Sequence, residues 1–190
     1  MKKENESYTA IVLAAGSGKR MQTNVHKQYL DLLGKPVLYY ALKAFEDSAV
    51  DEIILVTGKG EISYCQTEIV DRYGFKKVTH IVEGGKERYH SVYEGLKCAA
   101  GADYVLIHDG ARPFINEQIL QSVMESVQEN GACVTGVPVK YTIKIADGEG
   151  YAVETPDRNY VWAVQTPQAF SCGLITDAYT KLMATEDLTV

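Results

Sequence analysis

Cysteine is scarce in this chain: Cys65, Cys98, Cys133 and Cys172 are the full set, and no two form a Cys-x-x-Cys pair. That spacing excludes a zinc knuckle and a thioredoxin-like redox motif. Isolated thiols of this kind are expected to stay reduced in a cytosolic setting. No apolar run approaches the length a bilayer demands. Met1-Lys2-Lys3-Glu4-Asn5-Glu6-Ser7 is not followed by the apolar segment of a secretory signal. The expectation is a cytoplasmic protein with no membrane partner. A basic excess is also missing, since 19 Lys+Arg against 25 Asp+Glu leave a net charge of −6. Nucleic-acid binding calls for a basic footprint, so nucleic acid is not an expected partner. Any small anionic ligand must then be met by a local cluster of cations.

What is present is ordinary globular material, with 46% hydrophobic and 23% charged residues. No repeat, low-complexity tract or linker divides the 190 residues, so a single domain over 1–190 is expected. Short apolar runs recur at Ile11-Val12-Leu13, Ile53-Ile54-Leu55-Val56, Val105-Leu106-Ile107 and Cys133-Val134. None alternates with period two, as expected of strands buried on both faces. Amphipathic stretches lie between them. Leu38, Ala41, Leu42 and Phe45 share one helical face after Gly34-Lys35-Pro36, where proline suits a first helical turn. Ile119, Leu120, Val123, Met124 and Val127 form a second stripe, ending at Asn130-Gly131, and a third helix is expected over Arg88 to Ala100. This alternation predicts an α/β Rossmann-like three-layer sandwich with a mainly parallel sheet. Residues 140–153 break the rhythm as strand, turn at Asp147-Gly148-Glu149-Gly150, and strand. That is a hairpin inside an α/β chain, an arm expected to leave the core at about residues 139–157.

Ligands of an open parallel sheet bind beyond the C-terminal strand ends. After the first run comes Ala14-Ala15-Gly16-Ser17-Gly18-Lys19-Arg20-Met21, with Lys27 close behind. Small residues expose backbone N–H groups and the cations add charge, which together read as a polyphosphate cradle. It is neither a Walker A loop nor a dinucleotide fingerprint, because the spacer and the third glycine are missing. After Ile81-Val82 comes Gly84-Gly85-Lys86-Glu87-Arg88 and then Ser91. Arg88 and Ser91 read a base edge, or the segment is a plain strand-to-helix turn. After Ile107 comes His108-Asp109-Gly110-Ala111-Arg112-Pro113. Asp109 can orient a phosphate or meet a metal and Arg112 can clamp a phosphate through its planar fork, or the two form a structural ion pair. His108 reads as loop support rather than as a proton shuttle.

These segments, with Lys27-Gln28-Tyr29-Leu30, Asp157-Arg158-Asn159 and Gln165-Thr166-Pro167-Gln168, occur in one order that resembles the 2-C-methyl-D-erythritol 4-phosphate cytidylyltransferase family. The sibling ribitol 5-phosphate cytidylyltransferase family shares most of them. The resemblance implies CMP transfer from CTP to a phosphorylated sugar alcohol, with magnesium (Mg2+) as cofactor. It implies catalytic roles for Arg20, Lys27 and Arg158, and nucleotide binding by Ala14, Ala15, Gly16, Gly85, Lys86, Arg88 and Ser91. It places Asp109, Arg112, Thr142 and Thr166 at the sugar phosphate, with any metal contact of Asp109 indirect. It further implies a homodimer in which the arm carrying Thr142, with Arg158 beside it, reaches the partner's site. Two departures stand out. Tyr141 occupies an arm position where the family commonly has aspartate, and family members continue past Val190 with a Thr-Asp pair, a final strand and a catalytic lysine. A non-catalytic nucleotide-binding scaffold is the rival from another class, and an assay for pyrophosphate release separates the two.

Overall fold

The computed structural model describes residues 6–16 and 26–185. In chain order the described elements begin with β1 (Tyr8–Ala14), a small hairpin of β2 (Asp31–Leu32) and β3 (Lys35–Pro36), and α1 (Val37–Glu46). Next come β4 (Glu52–Thr57), α2 (Ile62–Tyr64, continued by a π-helical stretch over Cys65–Asp71), β5 (Val78–Glu83), α3 (Arg88–Cys98) and β6 (Tyr104–Asp109). The rest are α4 (Glu117–Asn130), β7 (Ala132–Pro138), β8 (Ile145–Ala146), β9 (Ala152–Glu154), β10 (Trp162–Ser171) and α5 (Cys172–Met183).

The main sheet of the described residues has the order β5-β4-β1-β6-β10-β7. β5, β4, β1 and β6 pair in parallel, whereas β10 runs antiparallel to both neighbours. Side chains alternate across a strand, and β1 shows the consequence. Ala10, Val12 and Ala14 pack in one core with Leu38, Leu42 and Phe45 of α1 and Leu120, Val123 and Val127 of α4. Ile11 points the other way, into a second core with Ile54, Val56 and Ile107 and with Val92 and Leu96 of α3. A sheet between two helical layers is the α/β sandwich expected from the sequence.

Local signals account for the helix ends. Asn116 caps α4 by accepting from Ile119 N at 2.9 Å, and Gly131 ends it at φ 73°, the left-handed position glycine takes without strain. Pro36 departs from expectation. It closes the β2–β3 hairpin and precedes α1 in extended conformation rather than sitting in its first turn. Cys133-Val134 departs further, because β7 is the sheet edge and Val134 is exposed. Strand order, which the run itself does not encode, decides that only one side is paired.

Gly95 of α3 sets how closely that helix approaches the sheet, since a Cβ there would stand 2.5 Å from Ile11 Cγ2. Overpacking costs about 1–3 kcal/mol, and the better helix propensity of alanine returns up to about 1 kcal/mol. Gly95→Ala is therefore expected to lower the urea midpoint. A raised midpoint would contradict this packing.

The arm leaves the sheet after β7. Asp147 Oδ1 accepts from Glu149 N at 3.0 Å and from Tyr151 N at 2.9 Å, which closes the turn between β8 and β9. The arm and its base expose Tyr141, Ile145, Tyr151, Val153 and Tyr160, beside Trp162 at 58% and Val164 on β10.

Candidate active site

The first turn beyond β1 is held from below. Gln28, only 3% exposed, follows Lys27 in a 3-10 turn over Lys27–Tyr29. Its amide donates to the Ala14 carbonyl and, at 3.2 Å, to the Gly16 carbonyl. The next residue is fixed as well. Tyr29 donates to Glu61 Oε2 at 2.8 Å, and the same oxygen accepts from Gly58 N at 3.1 Å. Burial pushes the Tyr29 phenol far above its usual range, so it stays a neutral donor. Lys27 is thus an exposed cation on a backbone anchored through Gln28 and Tyr29. Arg20, with Ser17 to Met21, lies outside the described residues.

The second turn packs directly on the first. A Cβ at Gly84 would stand 2.6 Å from Ala15 Cβ and 2.5 Å from Ser91 Oγ, so only glycine lets the two turns meet. The buried Ser91 hydroxyl accepts from Gly85 N at 3.1 Å and fixes that turn to α3. Glu87 and His90 cap α3 reciprocally, each side chain meeting the other's backbone. Lys86 stands exposed on the same turn.

Arg88, the first residue of α3, crosses to β6. Its Nε and Nη2 both lie 3.1 Å from Asp109 Oδ1, and Nη2 also donates to Gln168 Oε1 at 3.1 Å. Arg112 Nε takes the other oxygen, Asp109 Oδ2, at 3.1 Å, and its Nη1 donates to Gln165 Oε1. One carboxylate therefore holds two guanidiniums, and the Asp109–Arg112 ion pair is real. Two cations and one anion leave a local excess of positive charge in a protein of net charge −6.

Beneath this lies a buried polar chain. His108 is 1% exposed, against Phe45, and burial lowers its pKa from 6.5 to about 4. The neutral ring donates from Nε2 to the Arg112 carbonyl at 3.1 Å and accepts at Nδ1 from the Thr166 hydroxyl at 3.0 Å. Thr166 Oγ1 in turn accepts from Asp109 N at 3.3 Å. His108 therefore ties β6, the Arg112 loop and β10 together, the supporting role expected of it. The unfolded histidine takes a proton below pH 6.5 that the folded one refuses until about pH 4. The contribution of His108 is thus complete above pH 6.5 and is lost as pH falls, by about 3 kcal/mol in all. Unfolding free energies of wild type and His108→Gln, measured from pH 7 to pH 4, should converge by that amount. Parallel curves would contradict it.

The structure joins Ala14, Ala15, Gly16 and Lys27 with Gly85, Arg88 and Ser91 along one rim, and sets Asp109, Arg112 and Thr166 beside them. It does not bring Thr142 or Arg158 into that network within one chain. Thr142 is exposed on the arm, and Arg158 Nη1 donates to the Lys140 carbonyl at 3.2 Å. Gln28, Gln165 and Gln168 had no individual role from sequence. Their only signal was a place within segments that carry the family resemblance.

Backbone-rich turns beside a guanidinium pair suit two anionic groups held close together, the task of a nucleotidyltransferase. The sequence profile described as IspD, 2-C-methyl-D-erythritol 4-phosphate cytidylyltransferase, matches residues 8–189, and the chain belongs to that family. A relative of that description from Lachnoclostridium phytofermentans is 55% identical over 177 residues, covering 93% of this chain and 76% of its own. One from Lachnospira eligens is 55% identical over 175 residues, 92% of this chain and 77% of its own. The crystal structure of 4-diphosphocytidyl-2C-methyl-D-erythritol synthase from Anaerococcus prevotii superposes with a TM-score of 0.84 at 35% identity, covering 97% of this chain and 78% of that one.

Proposed function

We propose that the chain transfers CMP from CTP to 2-C-methyl-D-erythritol 4-phosphate, giving 4-diphosphocytidyl-2-C-methyl-D-erythritol and pyrophosphate, a step of non-mevalonate isoprenoid biosynthesis. The observation that carries this reading is the Arg88–Asp109–Arg112 cluster at the end of β6, facing the joined turns beyond β1 and β5. A phosphate oxygen of the sugar attacks the α-phosphorus of CTP in line. The bond from that phosphorus to the bridging oxygen breaks, and pyrophosphate leaves. No covalent enzyme intermediate is needed, so the protein contributes positioning and charge stabilisation. The turn over Ala14, Ala15 and Gly16 holds the nucleotide with Arg20 and Lys27 on its phosphates. Gly85, Lys86, Arg88 and Ser91 hold the base side. Asp109, Arg112 and Thr166 hold the sugar phosphate.

Magnesium belongs to this reading as cofactor. Asp109 has both oxygens on guanidiniums, and the described residues contain no group of three His, Cys, Asp or Glu side chains placed to hold a metal ion. Such a site fits a cation gripped by nucleotide phosphates and water, with Asp109 reaching it only through water. Bound there, it supplies neutralisation of phosphate charge.

A second copy of the chain completes the site. The exposed apolar patch on β10 and the arm exceeds what isolated surface residues need, and a lone hairpin is marginal in water. Packing of arm against a partner covers both and delivers Thr142 and Arg158 to the partner's cleft. No helix of the described residues is long and apolar enough to cross a membrane.

Mass analysis of products tests the reading. The full-length protein is given CTP, UTP or GTP with methylerythritol phosphate or ribitol 5-phosphate. The cytidylyl adduct of methylerythritol phosphate is expected as the main product. A predominant ribitol adduct would move the chain to the sibling activity, and no pyrophosphate from any pair would leave a binding scaffold.

A further inference from the structure

The bulge in β10 carries two amides that the reaction as described does not use. Register between β10 and β7 moves from Val164↔Gly136 to Gln168↔Val134, so four residues advance against two. Gln165 and Gln168 stand at either end of that stretch, with Thr166-Pro167 between. Each accepts from a different arginine: Arg112 Nη1 meets Gln165 Oε1, and Arg88 Nη2 meets Gln168 Oε1 at 3.1 Å.

We infer that Gln165 and Gln168 are positioning residues with divided duties, Gln165 aiming Arg112 at the sugar phosphate and Gln168 aiming Arg88 at the nucleotide. The inference rests on the proposed substrates. Asp109 alone does not fix two half-exposed guanidiniums of like charge, each free to swing about its shared carboxylate. A second acceptor at a different edge of each planar fork fixes its rotation. With those bonds made, Arg88 Nη1 and Arg112 Nη2 have no protein acceptor among the described residues, so their N–H groups remain for the base side of the nucleotide and for the sugar phosphate respectively. The acceptors are neutral amides for a reason. A carboxylate at either place would cancel the single positive charge left over by Arg88, Arg112 and Asp109, which is what draws an anion in.

Steady-state kinetics with each substrate varied in turn tests this, with melting temperatures read alongside. Gln165→Met should raise the KM for the sugar phosphate about tenfold, the scale of one bond to a charged group, and leave that for CTP within about twofold. Gln168→Met should do the reverse. Gln165→Glu should exceed Gln165→Met, and the excess should shrink with added salt. A merely structural role would move both KM values together or only the melting temperature. Equal shifts in both KM values, no shift in either, or Gln165→Glu no worse than Gln165→Met would overturn the inference. Should Gln168→Met fail to fold, Gln168→Glu, which keeps an acceptor but adds a charge beside Arg88, should raise the KM for CTP alone by an amount that shrinks with added salt, and a rise in both KM values or in neither would overturn the inference. Calorimetric binding of CTP to wild type and Gln168→Met needs no turnover. No binding by wild type sinks the proposed function, whereas binding that the variant leaves unchanged sinks the division of duties alone.

Discussion

Lys27→Ala lowers turnover about 100-fold or more, the loss expected on removal of one charge-stabilising group, while stability stays nearly unchanged. Both halves of this expectation come from the local structure. The Lys27 side chain is exposed, and surface substitutions of that kind shift stability by less than about 0.5 kcal/mol. Two neighbours hold its backbone: Gln28 on the carbonyls of Ala14 and Gly16, and Tyr29 on Glu61. Alanine at position 27 leaves these anchors in place and removes only the ammonium beside the first turn. Pyrophosphate release under saturating substrates measures the effect. Near-normal turnover would take Lys27 out of the mechanism.

Inactive Lys27→Ala and Arg158→Ala subunits regain activity when paired. In a heterodimer of the two, one site has Lys27 of the Arg158→Ala subunit and receives Arg158 from the arm of the Lys27→Ala subunit, and is intact. The other site lacks both. Verified heterodimers should therefore show about half the wild-type turnover per dimer, because one in-line site of two retains its charge-stabilising groups. If the arm served its own cleft, every site would lack one group and nothing would be recovered. The intrachain contact of Arg158 with Lys140, and its separation from the Asp109 network, favour the crossed arrangement. Activity no higher than in either homodimer would end the shared-site reading.

The parallel core was legible because Ile11-Val12-Leu13, Ile53 to Val56 and Val105 to Ile107 are short and apolar, and the helices between them are periodic. The hairpin arm was legible from its Asp147-Gly148-Glu149-Gly150 turn. β10 was not read as a strand. Pro167 and the polar Gln165, Thr166 and Gln168 interrupt it, and proline within a run argues against a strand. The bulge resolves that conflict by lifting Gln165 to Pro167 out of the ladder. The stretch from Ile62 to Asp71 was missed as a helix, since its buried Cys65, Ile69 and Val70 do not keep one clean stripe.

The site divides the same way. Ala14 to Gly16, Gly84-Gly85 and Asp109 with Arg112 could be found because each cluster is local in sequence and comes directly after an apolar run. The bond from Arg88 to Asp109 spans 21 residues and that from Arg88 to Gln168 spans 80, distances at which spacing carries no information. His108 was placed correctly as support, yet its partners Thr166 and Arg112 emerge only once β10 lies beside β6. Sheet order is a tertiary choice, and the residues that aim the arginines depend on it.

A crystal structure of the protein grown with CTP and magnesium tests the central claim most directly. The account predicts triphosphate density against the turn from Ala14 to Lys27 and cytosine against Gly85 to Ser91, leaving Arg112 open for the second phosphate. Nucleotide bound at another surface, with that rim empty, would contradict it.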